Sequence, residues 1–390
     1  MTPPLVMLVA ISTLQPVAVN ILAPATPGLA RALATDYSTI QLTLTVYLAT
    51  VAIAQIFVGP ISDRFGRRPC ILAGAALFLL GSALGAFAAS IETLLFSRVV
   101  QAIGSGACFA LARAVVRDTS SMDRAASVMG YMVMAMVVAP MISPFLGGLI
   151  EETLGWRAIF LAKAALGALV LAAVWVFLHE TAPRSEPASM LSSLQGFPTL
   201  LGDPAFVLYT LSLSFVSAAF FMFIAGAPWV VIETMGRAPQ VYGLYFMINA
   251  VGYMLGNFIA GRFGQRLGAE RLMIWGATIA SVAMLAALFF AYLGPWNPLT
   301  FFIPIALSSV GSGMTLPGAT AAALSVRPKL AGTASGLSGA AQLGMGAAAA
   351  AFGGYVVQID SRALILAMLA AAVLGLVCAR TASARTARGR

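Results

Sequence analysis

The sequence predicts an all-α integral membrane protein of twelve transmembrane helices, arranged as two pseudo-symmetric six-helix bundles, and three observations carry that prediction. The first is composition. Of 390 residues, 60% are apolar and 9% are charged, too few charges to give a water-soluble globule of this size its polar shell. The second is segmentation. A hydrocarbon core of roughly 30 Å takes about 20 apolar residues per helix. Cutting the chain at its charged and Pro/Gly punctuation leaves twelve such stretches, beginning near residues 3, 38, 70, 92, 126, 156, 205, 241, 271, 298, 331 and 361. The third is an internal echo. Arg64-Phe65-Gly66-Arg67-Arg68 after the second span recurs as Arg262-Phe263-Gly264-Gln265-Arg266 after the eighth. Pro144-Phe145-Leu146-Gly147-Gly148 in the fifth is matched by Ala350-Ala351-Phe352-Gly353-Gly354 in the eleventh. Two such repeats imply a pseudo-two-fold axis along the membrane normal, with a solute site between the halves at mid-depth.

The first span has no Lys or Arg before it and eleven spans after it, which reads as a helix and not a secretory leader. Spans one to six form an N-terminal bundle over residues 1–180. The longest polar stretch, from His179 to Pro204, divides the spans six and six and predicts a cytoplasmic linker over 181–204. Spans seven to twelve form a second bundle over 205–380, and 381–390 is a basic cytoplasmic tail, read as disordered and attracted to lipid. Lys and Arg in alternate loops number fifteen against four. That asymmetry places both termini in the cytoplasm. The net charge of +9 therefore reads as orientation and not as a nucleic-acid surface. Cys70, Cys108 and Cys378 lack metal or disulfide spacing and read as structural. No Walker loop, HExxH or GxSxG is present, so neither an enzyme nor a cofactor is expected.

The run Gly59-Pro60-Ile61-Ser62-Asp63-Arg64-Phe65-Gly66-Arg67-Arg68-Pro69 resembles the loop 2/3 signature of the major facilitator superfamily. Its glycines permit a tight turn and its arginines suit the headgroup layer. The resemblance implies a gating latch in which Asp63 meets a basic residue at the inner end of span four, here Arg113 or Arg117, and the start of span eleven near Gly332 and Thr333. Ala139-Pro140-Met141-Ile142-Ser143-Pro144-Phe145-Leu146-Gly147-Gly148 resembles the helix 5 antiporter motif, with Ala and Ser replacing its first two glycines. Small residues there let helices touch, and Pro140 and Pro144 interrupt the hydrogen-bond ladder. Ala23-Pro24-Ala25-Thr26-Pro27, Val116-Arg117-Asp118, Gly155-Trp156-Arg157-Ala158-Ile159-Phe160 and His179-Glu180-Thr181 continue the pattern. Together they are similar to the Bcr/CflA branch, the bicyclomycin and chloramphenicol resistance exporters, almost end to end.

A charge at mid-bilayer costs between about 3 and about 17 kcal/mol, so an intramembrane one is functional or paired. Arg98, in Arg98-Val99-Val100-Gln101, resembles the family's RxxqG motif and is implied to couple substrate and proton. The helix 1 carboxylate of relatives falls here on Asn20, which shares a depth with Arg98 and lies within reach of a hydrogen bond. An amide cannot take up a proton, and all thirteen acids fall at span ends or in loops. Glu92, Glu151, Glu152 or Glu233 in an outer vestibule would be alternative proton carriers. Lys163 in span six either snorkels to the interface or titrates as a desolvated amine. Arg113 either snorkels to the cytoplasm or serves in the latch or the cavity.

The resemblance also implies a substrate path lined by Asn20, Tyr47, Tyr131, Tyr209, Phe220, Phe223, Asn249 and Gln342, with aromatic walls suited to flat apolar solutes. The expected function is export of amphipathic drugs, amphenicol-like or bicyclomycin-like, across a bacterial inner membrane by alternating access with proton antiport. The expected partners are small amphipathic molecules, protons and the lipid bilayer, without nucleic acid, and the chain is expected to be a monomer. An uncoupled facilitator or metabolite exporter, and a non-transporting membrane sensor, are the rival readings.

Overall fold

The computed structural model describes residues 4–119, 122–181, 197–327 and 330–388. They are helical almost throughout, and each long helix starts within four residues of where the sequence puts it. Two compact units, Met1–Met190 and Leu191–Arg390, divide the chain. The first holds α1 (Leu5–Asn20), α2 (Thr26–Ala32), α3 (Tyr37–Phe65), α4 (Arg67–Ala86), α5 (Ile91–Thr119), α6 (Met122–Leu154) and α7 (Trp156–Phe177). The second holds α8 (Pro204–Trp229), α9 (Pro239–Leu267), α10 (Ala269–Leu293), α11 (Pro298–Ser325), α12 (Ala331–Ile359) and α13 (Ser361–Arg388). Among the described residues, eleven helices are long and apolar enough to cross a membrane. The remaining expected span is α6, whose side chains from 122 to 137 lie outside the described residues.

Local chemistry sets the boundaries. Asp36, Asp203 and Asn297 cap α3, α8 and α11 by accepting from the amides of Thr39, Ala205 and Leu299 at 3.0, 3.1 and 2.9 Å. Proline opens α8, α9 and α11, where its missing N–H costs nothing. α1 stops at Asn20 because Pro24 and Pro27 follow, and the chain passes through a 3-10 turn, Ala23–Ala25, into α2.

The pseudo-symmetry reaches the packing. Gly74 and Gly104 bring α4 and α5 into backbone contact: a Cβ on Gly104 would lie 2.3 Å from the Gly74 oxygen. Gly276 and Gly311 do the same for α10 and α11, with a Cβ on Gly311 falling 2.3 Å from the Gly276 oxygen. Small residues at these crossings let the third and fourth long helices of each unit approach closely.

Three expectations need revision. The loop echo is displaced: α3 ends at Gly66 (φ +96°), whereas α9 runs on through Gly264 and Leu267 to stop at Gly268 (φ +85°), a turn later. The described part of the tail, 381–388, is helical and not disordered, since α13 continues to Arg388. Ala382 is buried there in the second core beside Phe206 and Tyr209, and such burial outweighs the tail's polar composition. Finally, the end of the stretch read as a linker is structured, with 197–201 helical and Leu200 buried in the same core.

Candidate functional site

Arg98 sits on α5, about 10 Å from the helix start at 1.5 Å per residue, and is 1% exposed. Gln101, three residues on, shares its helix face. The Arg98 guanidinium donates to the Gln101 side-chain oxygen, to Thr43 O at 3.2 Å and to Ala18 O at 3.3 Å. Its carbon lies 4.2 Å from the ring centroid of Tyr47. Gln101 passes the chain on, donating to Ser82 Oγ at 2.6 Å, and Tyr47 OH meets Ser105 Oγ at 2.5 Å. Ala18 O is one of the last four carbonyls of α1, which lack helical partners, so a cation there also faces the negative end of the helix dipole. Among the described residues no carboxylate pairs with Arg98, and neutral oxygens and a ring carry its solvation.

Asn20 does not take the place expected of it. Its amide nitrogen donates to Pro16 O at 2.8 Å, and its buried oxygen has no hydrogen-bond partner. The amide satisfies itself within its own helix, and Arg98 takes the free backbone carbonyl two residues earlier. Gln15 and Gln41 also keep a buried polar atom without a hydrogen bond. Lys163 does not snorkel: it is 1% exposed, with Nζ unbonded and 3.6 Å from the Phe160 ring centroid.

At the arginine-rich end, Asp63 pairs with Arg67 at 2.7 Å, and Arg67 Nε pairs with Asp118 at 3.1 Å. Arg67 also donates to Ser62 Oγ. Glu180 accepts the Arg67 and Arg68 amides at 2.8 and 3.3 Å, a carboxylate on the N-terminus of α4. Arg68 donates to Trp175 O at 3.0 Å. Arg64 lies over the neighbouring Phe65 ring. Arg113 stacks on Phe109 at 4.3 Å instead of meeting Asp63, because one helical turn brings a ring under its guanidinium. The Arg117 side chain lies outside the described residues, as does that of Tyr131. Gly59 has open space where a Cβ would go. Sequence reasoning missed Glu180, Asp118 and Ser62 as the partners of the arginines, although Val116-Arg117-Asp118 and His179-Glu180-Thr181 marked their segments.

On α6, Pro140 and Pro144 lie within an unbroken helix, and Gly147 and Gly148 are buried. One turn beyond, Glu151 rests against Gly28 of α2, with a carboxylate oxygen buried and unbonded. Among the four acids named as alternative proton carriers, Glu92, Glu152 and Glu233 are exposed and Glu151 is half-buried.

The expected lining residues of the second unit are packed rather than open. Phe223 stacks on Phe246 at 5.7 Å and touches Phe302 at 5.9 Å. Tyr209 belongs to the second core, at the α8 start, with its hydroxyl 3.2 Å from Glu270 and 3.1 Å from Thr386. Its position is therefore near a helix end and not at mid-depth. Asn249 accepts from Ser309, Gln342 donates to Ser217 at 2.6 Å, and Phe220 is half-buried against Phe221.

The profile of the Major Facilitator Superfamily matches residues 8–237 and 209–389. Similar curated proteins include Multidrug resistance protein D of Escherichia coli, 31% identical over 87% of this chain and 85% of its own length. The Chloramphenicol resistance protein of Pseudomonas aeruginosa is 34% identical over 67% of this chain and 63% of its own. An uncharacterized MFS-type transporter of Bacillus subtilis, YdgK, is 31% identical over 86% of this chain and 84% of its own. The fold resembles a crystal structure of a bacterial homolog of the human lysosomal transporter Spinster, inward-facing and unoccupied, with a TM-score of 0.77 at 18% identity, covering 97% of this chain and 96% of that one. The chain belongs to the Major Facilitator Superfamily, in its drug/proton antiporter branch beside the bicyclomycin and chloramphenicol resistance proteins, and is a multi-pass membrane transporter.

Proposed function

We propose that this protein exports small amphipathic drugs of the amphenicol or bicyclomycin type across the bacterial inner membrane in exchange for protons, as a monomer with both termini cytoplasmic. The names of its relatives supply the substrate class. The observation that carries coupling is Arg98, a fully buried cation held by neutral groups that reach α1, α3, α4 and α5 through Ala18, Thr43, Ser82 and Gln101. A charge so placed responds to any movement of those helices, because each lost acceptor leaves a buried cation less solvated. Substrate contact is assigned to Asn20 and Tyr47 in the first unit and to Phe220, Asn249 and Gln342 in the second. A solute that parts the helices around them would offer a donor to the buried, unbonded oxygens of Asn20 and Gln15. The Asp63–Arg67–Asp118 cluster is the gate, opening and closing as α3, α4 and α5 shift.

Expression in an exporter-deficient host tests the reading. Chloramphenicol tolerance should rise, and a proton uncoupler should abolish the rise. Unchanged tolerance removes the substrate class; tolerance that survives the uncoupler removes the antiport. A second reading, an uncoupled facilitator, is favoured by an amide, Asn20, standing where the family resemblance implies an acid, and drug equilibration without accumulation would select it.

A further inference from the structure

Among its described residues, the first unit buries two cations, Arg98 and Lys163, and no carboxylate at one level. α4 and α7 pack with Phe160 against Gly85 and Gly167 against Phe78 and Leu79, so the two helices run antiparallel and Lys163 falls opposite Ser82. Ser82 is the end of the chain Arg98–Gln101–Ser82. Counted along their own helices, Arg98 and Lys163 are each about 10 Å from the start. Each helix packed against α7 lacks an acid at this depth. α1 carries no ionisable residue, and α4 has only Arg67, Arg68 and Cys70, all in its first turn. α6 has Glu151 and Glu152 in its last turn and Asp123 and Arg124 in its first, with the side chains of the latter two outside the described residues. α5 contributes Arg98, and α7 itself Arg157, which donates to Ala88 O near the helix start.

Two fixed charges of one sign cannot share such an interior cheaply, since each loses its hydration and repels the other. A guanidinium keeps its proton in proteins, whereas a buried amine gives it up. Arg98 has three acceptors; Lys163 has none among the described residues, only the face of Phe160. We infer that Lys163 is the proton-carrying residue of this transporter. Uptake forms an N–H bond on the free amine from hydronium reaching it from outside. Release breaks that bond to water leading to the cytoplasm and restores the lone pair. Movement of α1, α4 or α7 that admits water favours the ammonium, and closure around Phe160 expels the proton.

The inference rests on the antiport reading, and the test separates them. Proteoliposomes holding the full chain, wild type or Lys163→Met, are assayed for radiolabelled chloramphenicol in two modes, exchange at equal pH and accumulation driven by a pH gradient. Wild type that performs neither mode refutes the drug reading, and wild type that exchanges without accumulating refutes antiport. With both present, K163M should keep exchange and lose accumulation by about tenfold or more, equivalent to about 1.4 kcal/mol of coupling. Accumulation as in wild type overturns the assignment. Should K163M lose both modes, or wild type lack them, melting of the purified proteins decides. The offset between K163M, or Lys163→Gln, and wild type should change between about pH 6 and about pH 9 if Lys163 gives up its proton on folding, because the unfolded lysine stays protonated over that range, and a constant offset overturns the inference.

Discussion

Gly147 of α6 presses on the backbone of Ile21, just past the end of α1, so closely that a Cβ on the glycine would fall 1.9 Å from the Ile21 oxygen. The antiporter-type motif is thus, in this molecule, a lock between α6 and the end of α1, a few residues from the Ala18 carbonyl that holds Arg98. Gly147→Ala must push the helices apart. Overpacking of this kind costs about 1–3 kcal/mol, so G147A should melt lower and confer less drug tolerance. Gly261→Ala, inside α9 where nothing lies within 4 Å of the added carbon, should leave stability unchanged or raise it by up to about 1 kcal/mol, since alanine is the better helix former. Equal melting of the two variants, read by thermal unfolding in detergent, would refute the lock.

Arg98 spans acceptors on three helices with one planar group, and a lysine offers a single charge that cannot reach all of them. Arg98→Lys should lose one or two charge-assisted hydrogen bonds, about 1.5–3 kcal/mol each, and lower transport about tenfold or more while the protein still reaches the membrane. Restoring an acid beside it asks the complementary question. Asn20→Asp should steepen the pH dependence of export, and an unaltered pH profile would show that position 20 has no link to the arginine.

The twelve spans and their two-unit division were legible because lipid removes water as a hydrogen-bonding partner and leaves helix as the simple solution for each apolar stretch. Arg98 and Gln101 were legible as a pair from their spacing on one face. Their partners were not, since Ala18 O and Thr43 O are backbone atoms that no residue code announces. Asn20 was misassigned to Arg98 because depth along a helix says nothing of the direction in which a side chain closes its own bond. Lys163 was ambiguous for a related reason. A lysine seven residues inside a span reaches the interface or the core according to which face packs, and only the Phe160–Gly85 contact fixes that.

Gly66 combines a backbone conformation that L side chains rarely adopt, φ +96°, with the Glu180 carboxylate 2.4 Å from where a Cβ would stand. Gly66→Ala should therefore cost more than Gly155→Ala, which shares the positive φ (+79°) in open space. The difference measures the Glu180 contact. Glu180→Gln removes the negative charge at the α4 N-terminus, worth about 0.3–1 kcal/mol, and should lower stability less than G66A does. Thermal unfolding of the three variants ranks them, and G155A melting as low as G66A would refute the steric part.

Glu151 gives a stability prediction with a definite sign. α6, at 33 residues and 1.5 Å each, is about 50 Å long, well beyond the roughly 30 Å hydrocarbon core, and Glu151 in its last turn lies outside that core. Burial against α2 raises its carboxyl to about 7, opposed by the nearby Arg31. A folded-state value above the ordinary 4.5 means that the folded protein binds the proton more tightly than the unfolded chain. The resulting stabilisation is complete below the unfolded value and disappears as pH rises toward about 7. Wild type should consequently lose stability from pH about 5 to pH about 8 relative to Glu151→Gln, whose amide does not titrate. The change is on the order of 1 kcal/mol after allowance for solvent around a half-buried group. Melting curves of both proteins across that range check it. Parallel curves would mean that Glu151 stays ionised throughout and that its contact with Gly28 is loose.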